Sequence, residues 1–194
     1  VLYKSYYQRA FLSILEAVLD VYSPILKEEE VEIFNKICQD LEFHPQRLLV
    51  RLFLRRAGWL RVGKLEYEDI VDVPGCLTVL EEFAFVQRDS DALSDYADLL
   101  TIPELKTLAN RLGRSISNAN NRDSLVEAIL TVPAKGQRRI CFSASGKMSL
   151  TNNSGASALD DALHQARRLT GPAIQLRPEI RRHLDLAISL YFLV

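Results

Sequence analysis

Apolar residues recur at helical spacing along most of the chain. From Tyr6 to Val21, Phe11, Leu12, Leu15, Val18 and Leu19 fall on one side and Arg9, Glu16 and Asp20 on the other, which predicts an amphipathic helix that Pro24 breaks. Glu28 to Asp40 predicts a second helix. Its leading acids suit the positive end of the helix dipole, and Ile33, Phe34 and Ile37 form its inner side. His44-Pro45 is a turn and a start signal for a third helix running to about Ala57-Gly58. Trp59 to Glu68 is too broken for a helix and reads as a short strand or an extended turn, with Trp59 in the core. Asp72 or Pro74 opens a further helix through Cys76 to Ala84. Ser90 to Leu100 is an acidic amphipathic helix or a linker.

The most ordered pattern lies between Leu99 and Leu130. Thr101 and Glu104 have capping-box spacing, with Pro103 in the first turn. Leu105, Leu108, Ala109 and Leu112 form an inner face, Gly113 stops the helix, and Asn121 can cap a second helix carrying Leu125, Val126, Ile129 and Leu130. Two helices this short need a neighbour to pack on. From Val132 to Ala156 the chain is irregular, with a loop or short strand pair around Arg139 to Ser143. Ser157 to Thr170 predicts a helix stopped at Gly171-Pro172, and a final helix follows Pro178. The expected fold is mainly α. A helical, winged-helix-like lobe covers residues 1–98, a helix–loop–helix pair covers 99–132, and a loop with helices covers 133–194. Short strands are expected near Arg61 to Tyr67 and Arg139 to Ser143.

Charge changes the picture. Phe43 to Leu65 holds six bases, Arg47, Arg51, Arg55, Arg56, Arg61 and Lys64, and no acid. Leu65 to Glu104 holds eleven acids against the single base Arg88. Formal net charge is only −1, so charge is sorted rather than in excess. Arg47, Arg51 and Arg55 stand at i, i+4 and i+8 and so share one helix face, opposite Leu48, Leu49, Leu52 and Phe53. Surface helices normally mix signs. An unmixed basic stripe on an otherwise acidic chain marks a groove for a polyanion, with DNA or RNA the first candidate.

Composition excludes several classes. Hydrophobic content of 48% suits an ordinary core, and 8 Gly and 7 Pro are too few for disorder or collagen-like repeats. Cys38, Cys76 and Cys141 lack metal-ligand or disulfide spacing, which fits a reducing compartment. No signal-peptide pattern opens the chain, and the apolar run from Leu184 to Val194 is about half a membrane span. No membrane partner is expected, and both ends read as cut from a longer chain. Glu104-Leu105-Lys106 spells half of a nuclease metal motif, but it opens a helix and lacks the upstream acid that would share a metal. His44, His164 and His183 have no partners at ligand spacing. No catalytic residue, metal site or cofactor is assigned within the chain.

Pro103-Glu-Leu-Lys and Arg122-Asp-Ser-Leu-Val-Glu resemble a SAP module, a small DNA-binding helix–loop–helix. Asn120 stands where that loop usually has Gly, and Asn tolerates left-handed angles. Tyr6-Tyr-Gln-Arg-Ala-Phe-Leu, Val50-Arg-Leu-Phe-Leu-Arg-Arg with Trp59, and Lys64-Leu-Glu-Tyr-Glu-Asp-Ile, in this order before a SAP module, resemble the Fanconi-associated nuclease family over nearly the whole chain. The resemblance implies the DNA-gripping front of a structure-selective DNA repair nuclease that cuts 5′ flaps, steps 5′ to 3′, and serves interstrand crosslink repair in the nucleus. It implies that the nuclease domain, with its Mg²⁺ or Mn²⁺, lies outside this chain. It also implies that residues 133–194 lead into a helical repeat region. The implied partners are double-stranded and flapped DNA and, through absent regions, repair-complex proteins; pairing of two copies on DNA stays open.

Family duplex contacts fall on positions matching Tyr6, Arg51, Arg56, Tyr67, Leu105 and Asn110. Asn110 stands where a Lys is expected, and Lys106, one turn earlier, is the natural substitute. Arg47, Arg55, Lys64, Lys106 and Arg122 complete the candidate contacts. Tyr6 and Tyr67 are also read as half-buried residues with wet hydroxyls. The Arg51 face and Lys106 are expected to line one groove, reading phosphates without base preference. The alternative is a helical protein-interaction or dimerisation module using the acidic face at Ser90 to Leu100.

Overall fold

The computed structural model describes residues 6–114, 121–131, 139–142, 148–151 and 155–193. Asn120, Lys135, Arg138 and Lys147 lie outside them. In chain order the elements are α1 (Tyr6–Tyr22), α2 (Glu28–Asn35) running on into a π turn (Lys36–Asp40), α3 (Phe43–Phe53), β1 (Leu60–Arg61) and a 3-10 turn (Val62–Lys64). Then come α4 (Val73–Glu82), β2 (Val86–Arg88), α5 (Leu93–Leu99), α6 (Ile102–Arg111) and α7 (Arg122–Leu130). The remainder is β3 (Arg139–Phe142), β4 (Met148–Thr151), α8 (Gly155–Thr170), β5 (Ala173–Leu176) and α9 (Pro178–Tyr191). The fold is mainly α, as the periodicity indicates. The largest sheet among the described residues has three strands.

The chain forms two compact units, Val1–Arg88 with Ile174–Val194, and Asp89–Ala173. In the first, Phe11, Leu15 and Val18 of α1 meet Phe34 and Ile37, Leu48, Leu49 and Leu52 of α3, and Leu77 and Leu80 of α4 in one buried core. Ile180, Leu184 and Ala187 of α9 enter the same core, so the chain's last helix returns to its first. A strand also returns. β5 lies between β1 and β2, antiparallel to β2, with Val86 opposite Leu176 and Arg88 opposite Ile174. Gln87 Nε2 donates to Gln175 Oε1 across this pair at 2.9 Å. Neither β2 nor β5 is foreseen by local pattern, because two runs of three or four residues gain strand character only from each other.

The basic helix is shorter than its pattern suggests. It stops at Phe53 rather than near Gly58. Arg181 of α9 donates through Nη2 to the Phe53 and Arg55 carbonyls at 2.8 and 2.6 Å, which satisfies the orphaned helix end. Trp59, expected in the core, is half-buried. Asp72 caps α4 from a left-handed conformation (φ 55°), its Oδ1 accepting from the Gly75 N–H at 3.1 Å. A Cβ at position 75 would lie 2.1 Å from Asp72 Oδ2, so only glycine leaves this cap intact.

In the second unit the helix pair forms as its sequence indicates. Thr101 N–H and Oγ1–H both donate to Glu104 Oε2 at 2.7 Å, and Asn121 Oδ1 accepts from the Ser124 N–H at 2.8 Å. Leu105, Leu108, Ala109, Leu125 and Ile129 are buried. α5 packs on α7 and α8, and α6 also packs on α8, which supply the neighbours that two short helices need. Tyr96 of α5 is fully buried with its hydroxyl on Asp89 Oδ1 at 3.0 Å.

Candidate nucleic-acid interface

Arg47 does not join the outward stripe. It is 7% exposed. Its Nε donates to Gln8 Oε1 at 3.0 Å and its Nη1 to the Asp69 carbonyl at 3.0 Å, with Asp69 Oδ2 at 3.4 Å. Its guanidinium lies 4.4 Å from the Phe43 ring centre, and Gln8 also donates to the Phe43 carbonyl and Gln46. Arg47 thus ties α1 and α3 to the segment after Lys64. Helical drift explains this: 3.6 residues per turn moves i, i+4 and i+8 steadily around the axis, so one end of the row meets the core.

Arg51 stands at the edge of this network. Its Nη2 lies 3.2 Å from Asp69 Oδ2 and its side chain is one-third exposed. Arg51 and Arg55 both bracket Tyr67, their guanidinium carbons 5.7 and 5.5 Å from its ring centre. Tyr67 is held as a platform for two cations. Its hydroxyl is buried and has no hydrogen-bond partner among the described residues, so it does not offer the wet donor that the sequence suggests. Arg56 and Lys64 are exposed. Arg55, Arg56 and Lys64 have no carboxylate partner among the described residues. Tyr6, expected half-buried, is 65% exposed and meets Tyr7 edge-on. Arg9, one turn later on α1, is also exposed.

The second unit presents Lys106 and Asn110 exposed, one turn apart on α6, and Arg111 beside them donating to Gln165 Oε1 at 3.4 Å. Leu105 is fully buried, with its N–H donating to the Thr101 carbonyl at 2.8 Å, so its side chain packs and cannot touch a duplex. Arg122 is also turned inward. It donates to the Leu100, Ala97 and Asp98 carbonyls at 2.7, 3.0 and 2.8 Å, where a cation suits the negative end of α5. Glu104 is engaged by its own cap, and no group of three or more metal-ligating side chains occurs among the described residues. Burial, with Glu16 nearby, pushes the Cys38 thiol up to about 11; burial and Asp72 raise that of Cys76.

Helices closed over a three-stranded sheet, with a capped helix–loop–helix pair in a second unit, define a helix-turn-helix type of domain with an added helical module. Residues 5–87 match the family model described as FAN1, HTH domain. The chain is 36% identical over 176 residues to Fanconi-associated nuclease 1 of Ailuropoda melanoleuca and 35% identical over 176 residues to that of Homo sapiens. Each match covers 88% of this chain and 16% of the relative. The protein in a crystal structure of paFAN1 bound to 2nt 5′ flap DNA with gap shares the fold, with a TM-score of 0.67 at 22% identity. That match covers 94% of this chain and 29% of that one. The chain belongs to the Fanconi-associated nuclease family and spans about a sixth of the length of these relatives.

Proposed function

We propose that this chain is the DNA-binding portion of a DNA repair nuclease and holds duplex through its phosphates. The observation that carries this reading is the set of outward cations, Arg55, Arg56 and Lys64, that no carboxylate of the described residues neutralises. Arg51, shared with Asp69, adds a half-available charge at the edge of the same set. Lys106 and Asn110 on α6 and Tyr6 on α1 are further contacts. In the whole protein the reading extends to cutting at 5′ flaps during interstrand crosslink repair in the nucleus, with Mg²⁺ or Mn²⁺ held by residues outside this chain. The support is family membership, together with the flap DNA bound by the structural relative.

The test is a titration of the chain against intact, nicked and 5′-flapped duplex between low and physiological salt. We expect log K to fall linearly with log salt, with a slope of about −0.9 per phosphate contact and no dependence on base sequence. Binding that ignores salt, or that requires one base sequence, would overturn the reading. With Mg²⁺ or Mn²⁺ present the chain alone should leave the flap substrate uncut.

A further inference from the structure

Helix α7 carries two apolar stripes. Leu125 and Ile129 face the core of the second unit. Val126 and Leu130, each one position on, face a surface groove of roughly 540 Å³. Leu130 is 36% exposed and Val126 is half-buried. The rim is acidic: Asp123 and Glu127 of α7 and Asp98 of α5, all exposed. Asp123, Val126, Glu127 and Leu130 stand at i, i+3, i+4 and i+7, so acid and aliphatic side chains alternate along one line of the helix. No ion pair neutralises the three carboxylates among the described residues. Arg122 also lines the groove, but its guanidinium is bound to three backbone carbonyls at the end of α5.

We propose that this groove is a docking site for a basic amphipathic helix of a partner protein. Such a helix would lay aliphatic side chains on Val126 and Leu130 and set Lys or Arg against Asp98, Asp123 and Glu127. Charge complementarity selects this occupant. Among the described residues, three carboxylates against the single guanidinium of Arg122 leave the lining acidic, which disfavours phosphate there. They equally disfavour an acidic peptide, while the apolar line disfavours a merely polar one. The two chemistries sit on separate elements of the second unit, Lys106 on α6 for the polyanion and the α5–α7 groove for the cation-bearing helix. One unit can then hold DNA and a protein together.

The experiment uses the full chain and a model amphipathic peptide of Leu and Lys, with its Leu and Glu counterpart as control. Binding is read by amide chemical-shift perturbation and fluorescence anisotropy. The Leu–Lys peptide should bind and perturb Val126, Glu127 and Leu130, while the Leu–Glu peptide should not bind. Reversing two rim charges, Asp98→Lys with Glu127→Lys, should weaken binding by about tenfold or more. Leu130→Ser should weaken it similarly by removing the apolar contact. Both variants change exposed side chains, so α7 should stay folded; if the double variant unfolds it, Leu130→Ser carries the test alone. The proposal fails if the Leu–Lys peptide perturbs residues elsewhere, or if Leu130→Ser leaves its affinity unchanged. It also fails if sedimentation shows self-association that Leu130→Ser abolishes, since the occupant would then be a second copy of the chain.

Discussion

Each unit contains an arginine that its sequence places on a DNA-facing motif and that the fold turns onto the protein instead. In the first unit it is Arg47, sealed at 7% exposure against Gln8 and Asp69. In the second it is Arg122, half-exposed and bound to three carbonyls at the end of α5. The partners differ. Arg47 answers a carboxylate in the interior, where losing one member of the pair is costly. Arg122 answers a helix end beside solvent, where water can replace part of what is lost. In both units a count of bases overstates the charge available to a ligand. Availability depends on which acceptors the fold brings within reach.

Arg47→Ala gives the largest expected effect. It removes the bonds to Gln8 and to the Asp69 carbonyl, and Arg51 alone is left to answer Asp69. We expect about 3 kcal/mol of lost stability in chemical denaturation. Below the denaturation midpoint the folded protein should keep its DNA affinity. Unchanged stability with weakened binding would place Arg47 in the interface and erase the distinction between it and Arg55. Arg122→Ala should cost less, about 2 kcal/mol, because its bonds are charge-assisted but partly wet. Hydrogen exchange should report the loss first in the last turn of α5. Faster exchange spread evenly over both units would break the comparison, since it would give Arg122 a reach that three local bonds do not explain.

Arg55→Ala with Arg56→Ala tests the opposite case. Neither side chain has a carboxylate partner among the described residues, and only the contact of half-buried Arg55 with the Tyr67 ring is lost, so stability should fall by no more than about 1 kcal/mol. Binding of every duplex should weaken alike, and the salt slope should flatten by about two units. A stability loss as large as that of Arg122→Ala would show these cations to be structural as well.

Much of this was legible in the sequence. The helices of the first unit follow from apolar spacing, and the caps at Thr101–Glu104 and Asn121 follow from residue type. The sorted charge between Phe43 and Leu65 located the candidate surface. What the sequence hid is what distant segments supply. Arg181 ends α3 from 126 residues away at the Arg55 carbonyl. β5 lies between strands that precede it by a whole unit. Asp69 consumes Arg47 from a loop whose local pattern says only that it is acidic. Each of these is a side chain or strand meeting a backbone group far along the chain, and neither periodicity nor composition records such meetings.

The smallest expected effect concerns α6, and it separates position from charge. Lys106 is exposed on the second turn, and Asn110 is exposed one turn on. If phosphate contact follows the exposed face of α6, Lys106→Ala should flatten the salt slope by about one unit, and Asn110→Lys should steepen it by about as much. The two changes together should restore the original slope. Neither residue touches the core, so melting temperatures should hold within a degree or two. If Asn110→Lys leaves the slope unchanged while Lys106→Ala flattens it, only the first half of α6 meets DNA. If neither moves it, the second unit contributes no phosphate contact on this face, and Arg55, Arg56 and Lys64, with Arg51 at their edge, carry binding alone.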